Sequence, residues 1–351
     1  MSTLLPPSTL RLGLDREALV ANWRALDALS GAATAGAAVK ANAYGLGAGR
    51  VVEALASAGC RDFFVAHWSE VPALLPHISP AMVSVLHGPL TPEEAAFARQ
   101  TGVRPVINSL RQAAIWTGTG GGPCHLMVDT GMNRLGLSMG DLADPVLRGL
   151  DIDICLSHLA SADEDSALND IQRNRFAQVR STVAAKRYSL ANSAGIALGA
   201  DYHADVTRPG IALYGGIVRP ELEGRIAQVI RPEAALIQVR TLRPGDTVGY
   251  NALFTASRPM RAGVLSIGYA DGYLRCWAGR GMFTHGGRIA PVLGRVSMDL
   301  TIVDLEALPE CREGDWLTAA YSLPESSRLT GLSQYELLTL LGERFSRQNG
   351  G

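Results

Sequence analysis

Ala37-Ala-Val-Lys-Ala-Asn-Ala-Tyr-Gly-Leu-Gly47 runs from an apolar stretch into a lysine and then into a glycine-rich turn. That is the pattern of a buried strand that delivers one reactive side chain to its open end. A lysine held there, Lys40, sheds part of its hydration; its pKa falls and its amine becomes available to an aldehyde. Tyr44 adds a phenol donor, and Gly45 and Gly47 let the backbone approach an anion. Taken alone, the stretch also fits a surface lysine that happens to end a strand, since lysine is mostly exposed.

Working outward, strand-like runs alternate with helix-like ones over the first two thirds of the chain. Strand ends are expected near Lys40, Ala66, His87, Ile107, Val128, His158, Asn192 and Val206, and helices over Val51 to Ala58, Pro92 to Gln100 with Thr91 as N-cap, and Ala167 to Ala185. Eight strands alternating with helices predict an α/β fold of the TIM-type (β/α)8 barrel. Lys40, the Asp129 to Arg134 segment, His158, Asn192, Ser193 and Arg208 all fall at or just past a strand's C-terminal end, the face where barrels carry their chemistry. A lone strand-end histidine is usually structural and a lone arginine usually a surface ion pair; six polar positions on one face favour a site.

After about Gly224 the texture changes. Ala234 to Thr241, Val248 to Thr255, Ala262 to Ile267, Arg288 to Leu293 and Met298 to Val303 are short β-prone runs split by turn signals, followed by a helical segment over Ser333 to Arg347. The expected organisation is a barrel over residues 11–223 and a smaller, mostly β C-terminal domain over 224–351.

Composition bounds the function. Of 351 residues, 47% are hydrophobic and 19% charged, enough for sizeable cores, and the net charge of −1 offers no basic field for nucleic acid or an anionic membrane. Small-molecule partners are favoured. The N-terminus has no basic region followed by an apolar run, and no stretch is long enough to span a bilayer, so a cytoplasmic location is expected. Five scattered cysteines without C-x-x-C spacing read as buried thiols, and the histidines show no metal-ligand spacing.

Val39-Lys-Ala-Asn-Ala-Tyr-Gly, Val128-Asp-Thr-Gly-Met-Asn-Arg-Leu-Gly, Ser157-His-Leu-Ala-Ser-Ala-Asp-Glu, Asn192-Ser, Arg208-Pro-Gly-Ile-Ala-Leu-Tyr-Gly, Gly268-Tyr-Ala-Asp-Gly and Gly294-Arg-Val-Ser-Met-Asp, in this order and spacing, resemble the alanine racemases. The resemblance spans nearly the whole chain. It implies pyridoxal 5′-phosphate as cofactor, a homodimer with shared active sites, and the first ten or so residues joining the β domain. Position by position, Lys40 would be the Schiff-base lysine and one of two catalytic bases, Tyr250 of a partner chain the other. Tyr44, Ser193, Gly210, Ile211 and Tyr335 would hold the phosphate, Arg208 would face the pyridine nitrogen, and Asn192 and His158 would complete the cofactor site. A phenol starts near pKa ~10, so Tyr250 needs the positive field of Arg208, relayed by His158, to act as a base.

Arg134 and the backbone of Met298 would hold the substrate carboxylate, and Asp163, Tyr269 and Arg295 would line the access corridor. Simple surface pairing explains that last trio equally well. The chain departs from the family in one respect that matters: where many members carry a carbamylated lysine bonded to the substrate arginine, it has Met127. Another group, a bound anion or a neighbouring amide, then has to orient Arg134, at stake being one charge-assisted hydrogen bond of roughly 1.5–3 kcal/mol. Leu46 and Ser297 are milder departures. Three functions stay open: an amino-acid racemase, with alanine as default substrate and serine as alternative; a barrel decarboxylase, for which Ser297-Met-Asp lacks the needed Cys-Asp; and a non-catalytic cofactor carrier, which would have no β domain.

Overall fold

The computed structural model describes residues 6–350. They form two compact units, residues 17–227 and residues 6–16 with 228–350.

In the first unit, seven parallel strands are hydrogen-bonded in chain order: Ala37–Ala38, Phe63–Val65, Val83–Val85, Arg104–Ile107, Pro123–Met127, Asp151–Leu156 and Arg187–Ser189. The eighth run, Val206–Thr207, pairs in parallel with Thr34–Ala35, just ahead of the first strand. Arg208 N–H donates to Ala191 O at 2.9 Å and Ala38 N–H to Pro209 O at 2.8 Å, which closes the ring. Gly36, between Thr34–Ala35 and the first strand, has to be glycine because a Cβ there would lie 2.7 Å from Asp62 O. The closed sheet is filled by Phe64, Val106, Met127, Ile154, Leu156 and Val206, as expected when apolar strands are buried on both faces.

Helices Ala48–Ala58, Pro92–Thr101, Leu110–Gly118 and Ala167–Thr182 lie between the strands. Their starts follow from capping chemistry. Thr91 Oγ1 accepts from Glu94 N–H at 3.3 Å and Ser109 Oγ from Gln112 N–H at 3.2 Å. The last helix stops three residues short of the predicted Ala185 because Val183 is already extended (φ −98°, ψ 118°).

The second unit is a mainly antiparallel sheet in the order Met260–Leu265, Thr301–Asp304, Arg288–Leu293, Met282–His285, Trp316–Ala319, Ile230–Leu242, Leu10–Asp15 and Ser346–Gly350; Ile230–Leu242 also pairs with Met260–Leu265. Leu10–Asp15 belongs here, antiparallel to Ile230–Leu242, with Leu10, Leu12 and Leu14 buried by strand alternation. The change of unit therefore falls after residue 16, not after 10, and at 227/228 instead of 223/224. Val248 to Thr255 is no single strand: Thr247–Val248 and Phe254–Thr255 pair across a turn in which Asn251 and Ala252 have φ 61° and 50°. The segment after Ser333 is likewise no single helix. It is Gln334–Thr339 followed by the strand Ser346–Gly350, whose neighbour Leu10–Asp15 sequence periodicity does not reveal. No helix among the described residues is long and apolar enough to cross a membrane.

Candidate functional site

After the buried Val39 the chain makes a left-handed turn. Ala41 (φ 54°, ψ 47°), Asn42 (φ 54°, ψ 47°), Ala43 (φ 53°, ψ 53°) and Tyr44 (φ 56°) are all left-handed and none is glycine. Such a run costs roughly 1–2 kcal/mol per residue and persists only where its surroundings over-determine it. Here Ala43 N–H donates to Val39 O at 2.8 Å, Gly45 N–H to Ala41 O at 2.8 Å and Gly47 N–H to Asn42 O at 2.9 Å. Asn42 Oδ1 accepts from Ala48 N–H at 2.7 Å, and Asn42 N–H donates to Glu70 Oε1 at 3.3 Å. The other oxygen of Glu70 accepts from Ala66 N–H at 2.8 Å and His67 N–H at 2.9 Å, tying the turn to the neighbouring strand end.

Lys40 leads into this turn. Burial first, then the charges of Arg134 and Arg208, lower the pKa of its amine, while Glu70 works in the opposite direction. The turn also carries Tyr44 against Tyr214, with ring centroids 4.8 Å apart, and Tyr214 donates to Ala38 O at 2.9 Å.

Tyr44 meets Gly210. A Cβ at 210 would fall 2.3 Å from Tyr44 Oη, so only glycine lets that backbone reach the phenol. Ser193 Oγ accepts from Gly210 N–H at 2.9 Å and from Ala212 N–H at 3.3 Å. A phenol, a hydroxyl and the Gly210–Ile211 backbone thus converge, the donor types that hold a phosphate. Asn192 serves locally as the cap of Ser193–Ala197, its Oδ1 accepting from Gly195 N–H at 2.9 Å.

Arg208 is buried and its guanidinium is anchored by Ser189 Oγ, by Ser157 O at 2.5 Å and by Leu190 O at 3.5 Å. Burial brings its pKa down to about 10, which still leaves it charged at neutral pH. Its Nη2 stands 3.4 Å from His158 Nδ1. Burial, followed by Arg208, Arg134 and Lys40, pushes His158 down to about 3, so the imidazole is neutral. A guanidinium only donates, hence Nδ1 is the acceptor and Nε2 carries the hydrogen.

Arg134 and Asp163 are exposed on loops beyond strand ends. The Asp129 carboxylate shapes the Arg134 loop by accepting from Gly131 and Met132 N–H, each at 2.8 Å, and from Arg134 N–H at 3.1 Å. Met127 points into the apolar barrel interior, packed with Phe64 and Leu156.

In the β unit, four predicted residues come together. Gly249, ahead of Tyr250, lies against the Arg295 backbone, its Cβ position 3.7 Å from Arg295 O. Tyr269 N–H donates to Ser297 O at 3.0 Å and Ala270 N–H to Met298 O at 3.0 Å. Tyr250 is 66% exposed and Met298 53%. Tyr335 is 44% exposed on the helix Gln334–Thr339, whose following Leu340 O would lie 2.3 Å from a Cβ at Gly272, beside the Tyr269 turn.

Sequence reading misses Glu70, Ser157 and Ser189. The only local signal for Glu70 is its place three residues after His67, a capping-box spacing.

A closed barrel with a desolvated lysine, an anchored arginine and an anion-fitting cluster at its strand ends, followed by a β unit that offers an exposed tyrosine, defines a lysine-centred two-domain barrel protein. The chain matches the family "Alanine racemase, N-terminal domain" over residues 14–218 and "Alanine racemase, C-terminal domain" over 229–349. An alanine racemase of Methylobacterium nodulans is 43% identical over 96% of this chain and 95% of its own length, and one of Acidiphilium cryptum 40% identical over 96% and 97%. The crystal structure of alanine racemase from Bartonella henselae with covalently bound pyridoxal phosphate superposes with a TM-score of 0.88 at 35% identity, covering 98% of this chain and 100% of that one. The chain belongs to the alanine racemase family.

Proposed function

We propose that this protein interconverts L- and D-alanine with pyridoxal 5′-phosphate, using Lys40 and Tyr250 of the partner subunit as its two bases. The observation that carries this reading is the pairing of a lysine of lowered pKa with a buried, fourfold-anchored Arg208. The residues fit the cofactor. Tyr44 and Ser193 would supply hydroxyl donors for a phosphate and the Gly210–Ile211 backbone amide donors, Gly210 N–H by turning to it from Ser193 Oγ, with Tyr335 as a further donor and Asn192 as the cap that fixes Ser193. Bound pyridoxal phosphate supplies the electron sink that acidifies Cα of the amino acid. Arg208 would face the ring nitrogen and would not protonate it, because it keeps its own proton.

Lys40 would hold the cofactor covalently, and its amine would move a proton at one face of Cα. Its lowered pKa leaves more of it as free base at neutral pH. Tyr250 serves the opposite face. His158 donates from Nε2 toward the phenolate oxygen, and Arg208 behind it adds positive field, both of which favour the ionised phenol. Arg134 and the Met298 amide bind the substrate carboxylate, and retaining that carboxylate separates racemisation from decarboxylation. Asp163, Tyr269 and Arg295 line the approach. A homodimer is part of the same reading: Tyr250, Leu253, Met298 and Leu300 expose a run of large side chains suited to a second copy.

The test follows Cα–H exchange and optical rotation with L-alanine, and separately L-serine, in D₂O. Faster turnover of alanine than of serine is expected. Lys40→Ala should lose the visible absorbance of bound cofactor, whereas Tyr250→Phe should keep it and lose racemisation. Unchanged rates in Tyr250→Phe would refute the second base, and release of CO₂ would refute the racemase.

A further inference from the structure

The second cluster of chemistry-bearing side chains lies in the β unit, and nothing in the barrel site uses it. His285 ends the strand Met282–His285; a Gly286-Gly287 turn brings Arg288 directly opposite it. Glu310 and Cys311 sit in the loop before Trp316–Ala319. One nitrogen of His285, one oxygen of Glu310 and Sγ of Cys311 lie within 4.8 Å of one another. We propose that His285, Glu310 and Cys311 form a binding site for a borderline-soft divalent cation, with zinc the ion that matches an N, O, S donor set.

Three features make this a held site instead of a chance meeting. His285 Nδ1 donates to Trp316 O at 2.9 Å, which fixes the ring and its tautomer and leaves Nε2 with the lone pair; a backbone carbonyl behind the imidazole is the usual support of a metal-ligating histidine. The Glu310–Cys311 loop is clamped by Arg261, whose guanidinium donates to Leu308 O at 3.2 Å, Pro309 O at 2.7 Å and Cys311 O at 2.8 Å. Zinc bond lengths require donors about 3.3–3.8 Å apart, so the set closes with a shift of about an ångström, chiefly of the exposed Glu310 carboxylate, and a water takes the fourth position.

The charges around the site set how it responds. Burial, Glu310 and Asp315 raise the Cys311 thiol pKa, and Arg261 and Arg288 oppose them. As the metal–sulfur bond forms, the S–H bond breaks and its proton leaves to solvent, so binding tightens as pH rises. Arg288 pairs with Glu310 and competes with the cation for that carboxylate.

The experiment uses the full chain after chelator treatment. Cobalt(II) is titrated and followed by its red d–d bands and thiolate charge transfer, and zinc by competition with a chromophoric chelator. One equivalent is expected, weakened roughly 10–100-fold in His285→Gln and in Cys311→Ser. Arg288→Gln, an exposed change that leaves all three donors in place, should bind severalfold more tightly. Binding of less than one equivalent, equal affinity in the parent and both ligand variants, or no gain in Arg288→Gln would overturn the site. The outcome is independent of the barrel chemistry.

Discussion

Glu70 illustrates how a residue without a reactive role sets the chemistry of its neighbour. One carboxylate joins three backbone donors from two segments, Asn42 on the lysine-bearing turn and Ala66 and His67 on the next strand end. It also raises the Lys40 pKa against burial and two arginines. Glu70→Gln keeps one oxygen and loses the charge. The expected cost is roughly 1.5–3 kcal/mol of stability, the range for a hydrogen bond to a charged group. The pH at which Lys40 condenses with pyridoxal phosphate, read by absorbance, should move down; a profile that stays put or moves up would show that Glu70 does not act on Lys40. Met127 makes the complementary case. It fills the apolar interior, so Met127→Lys places an amine among Phe64, Ile154 and Leu156 and should destabilise the barrel by about 2–4 kcal/mol in urea unfolding.

At the scale of the element, the left-handed turn explains both what the sequence discloses and what it withholds. The strand ends are legible because Val-, Ile- and Phe-rich runs stop at polar residues; the alternation of strands and helices follows from that. Ala41, Asn42 and Ala43 give no such notice, since the alanines prefer right-handed backbone and the turn is held left-handed by its own backbone bonds together with a partner as distant as Glu70, 28 residues from Asn42. The same holds for the β unit, where Leu10–Asp15 finds its neighbours more than two hundred residues on, and for His285 and Cys311, brought together by sheet register and not by spacing. If the turn stores backbone strain, relieving it at an exposed position should stabilise. Ala41→Gly removes the Cβ penalty where the side chain is exposed, for an expected gain of about 1 kcal/mol, or a rise of roughly 2–4 °C in melting temperature. A lower melting temperature would mean that the turn is not strained.

For the molecule as a whole, His125 and His158 are the histidines of the barrel unit whose buried positions couple folding to pH most strongly; burial and His67 also lower His87. His125 is fully enclosed: its Nδ1 accepts from Ile154 N–H at 3.1 Å, so Nε2, 3.0 Å from Ser84 Oγ, carries the hydrogen. Burial, reinforced by Arg187 and Arg104 against Asp153, lowers its pKa to about 3, and burial with Arg208 does the same for His158. In the unfolded chain both titrate near about 6.5. Below that pH the unfolded state takes up two protons that the folded state refuses until about pH 3. Stability is therefore full above about pH 6.5 and is lost as pH falls toward 3, with a slope near two protons, roughly 3 kcal/mol per pH unit. Between about pH 6 and 5 carboxylates of ordinary pKa bind protons equally in the folded and the unfolded chain and leave the slope to the histidines. Urea unfolding of the cofactor-saturated protein across that window should give at least this slope, and His158→Asn should lower it by about one proton. A parent slope below one proton would mean that at least one of these imidazoles is charged in the folded protein, which for His158 would also count against its proposed role as a neutral donor toward Tyr250.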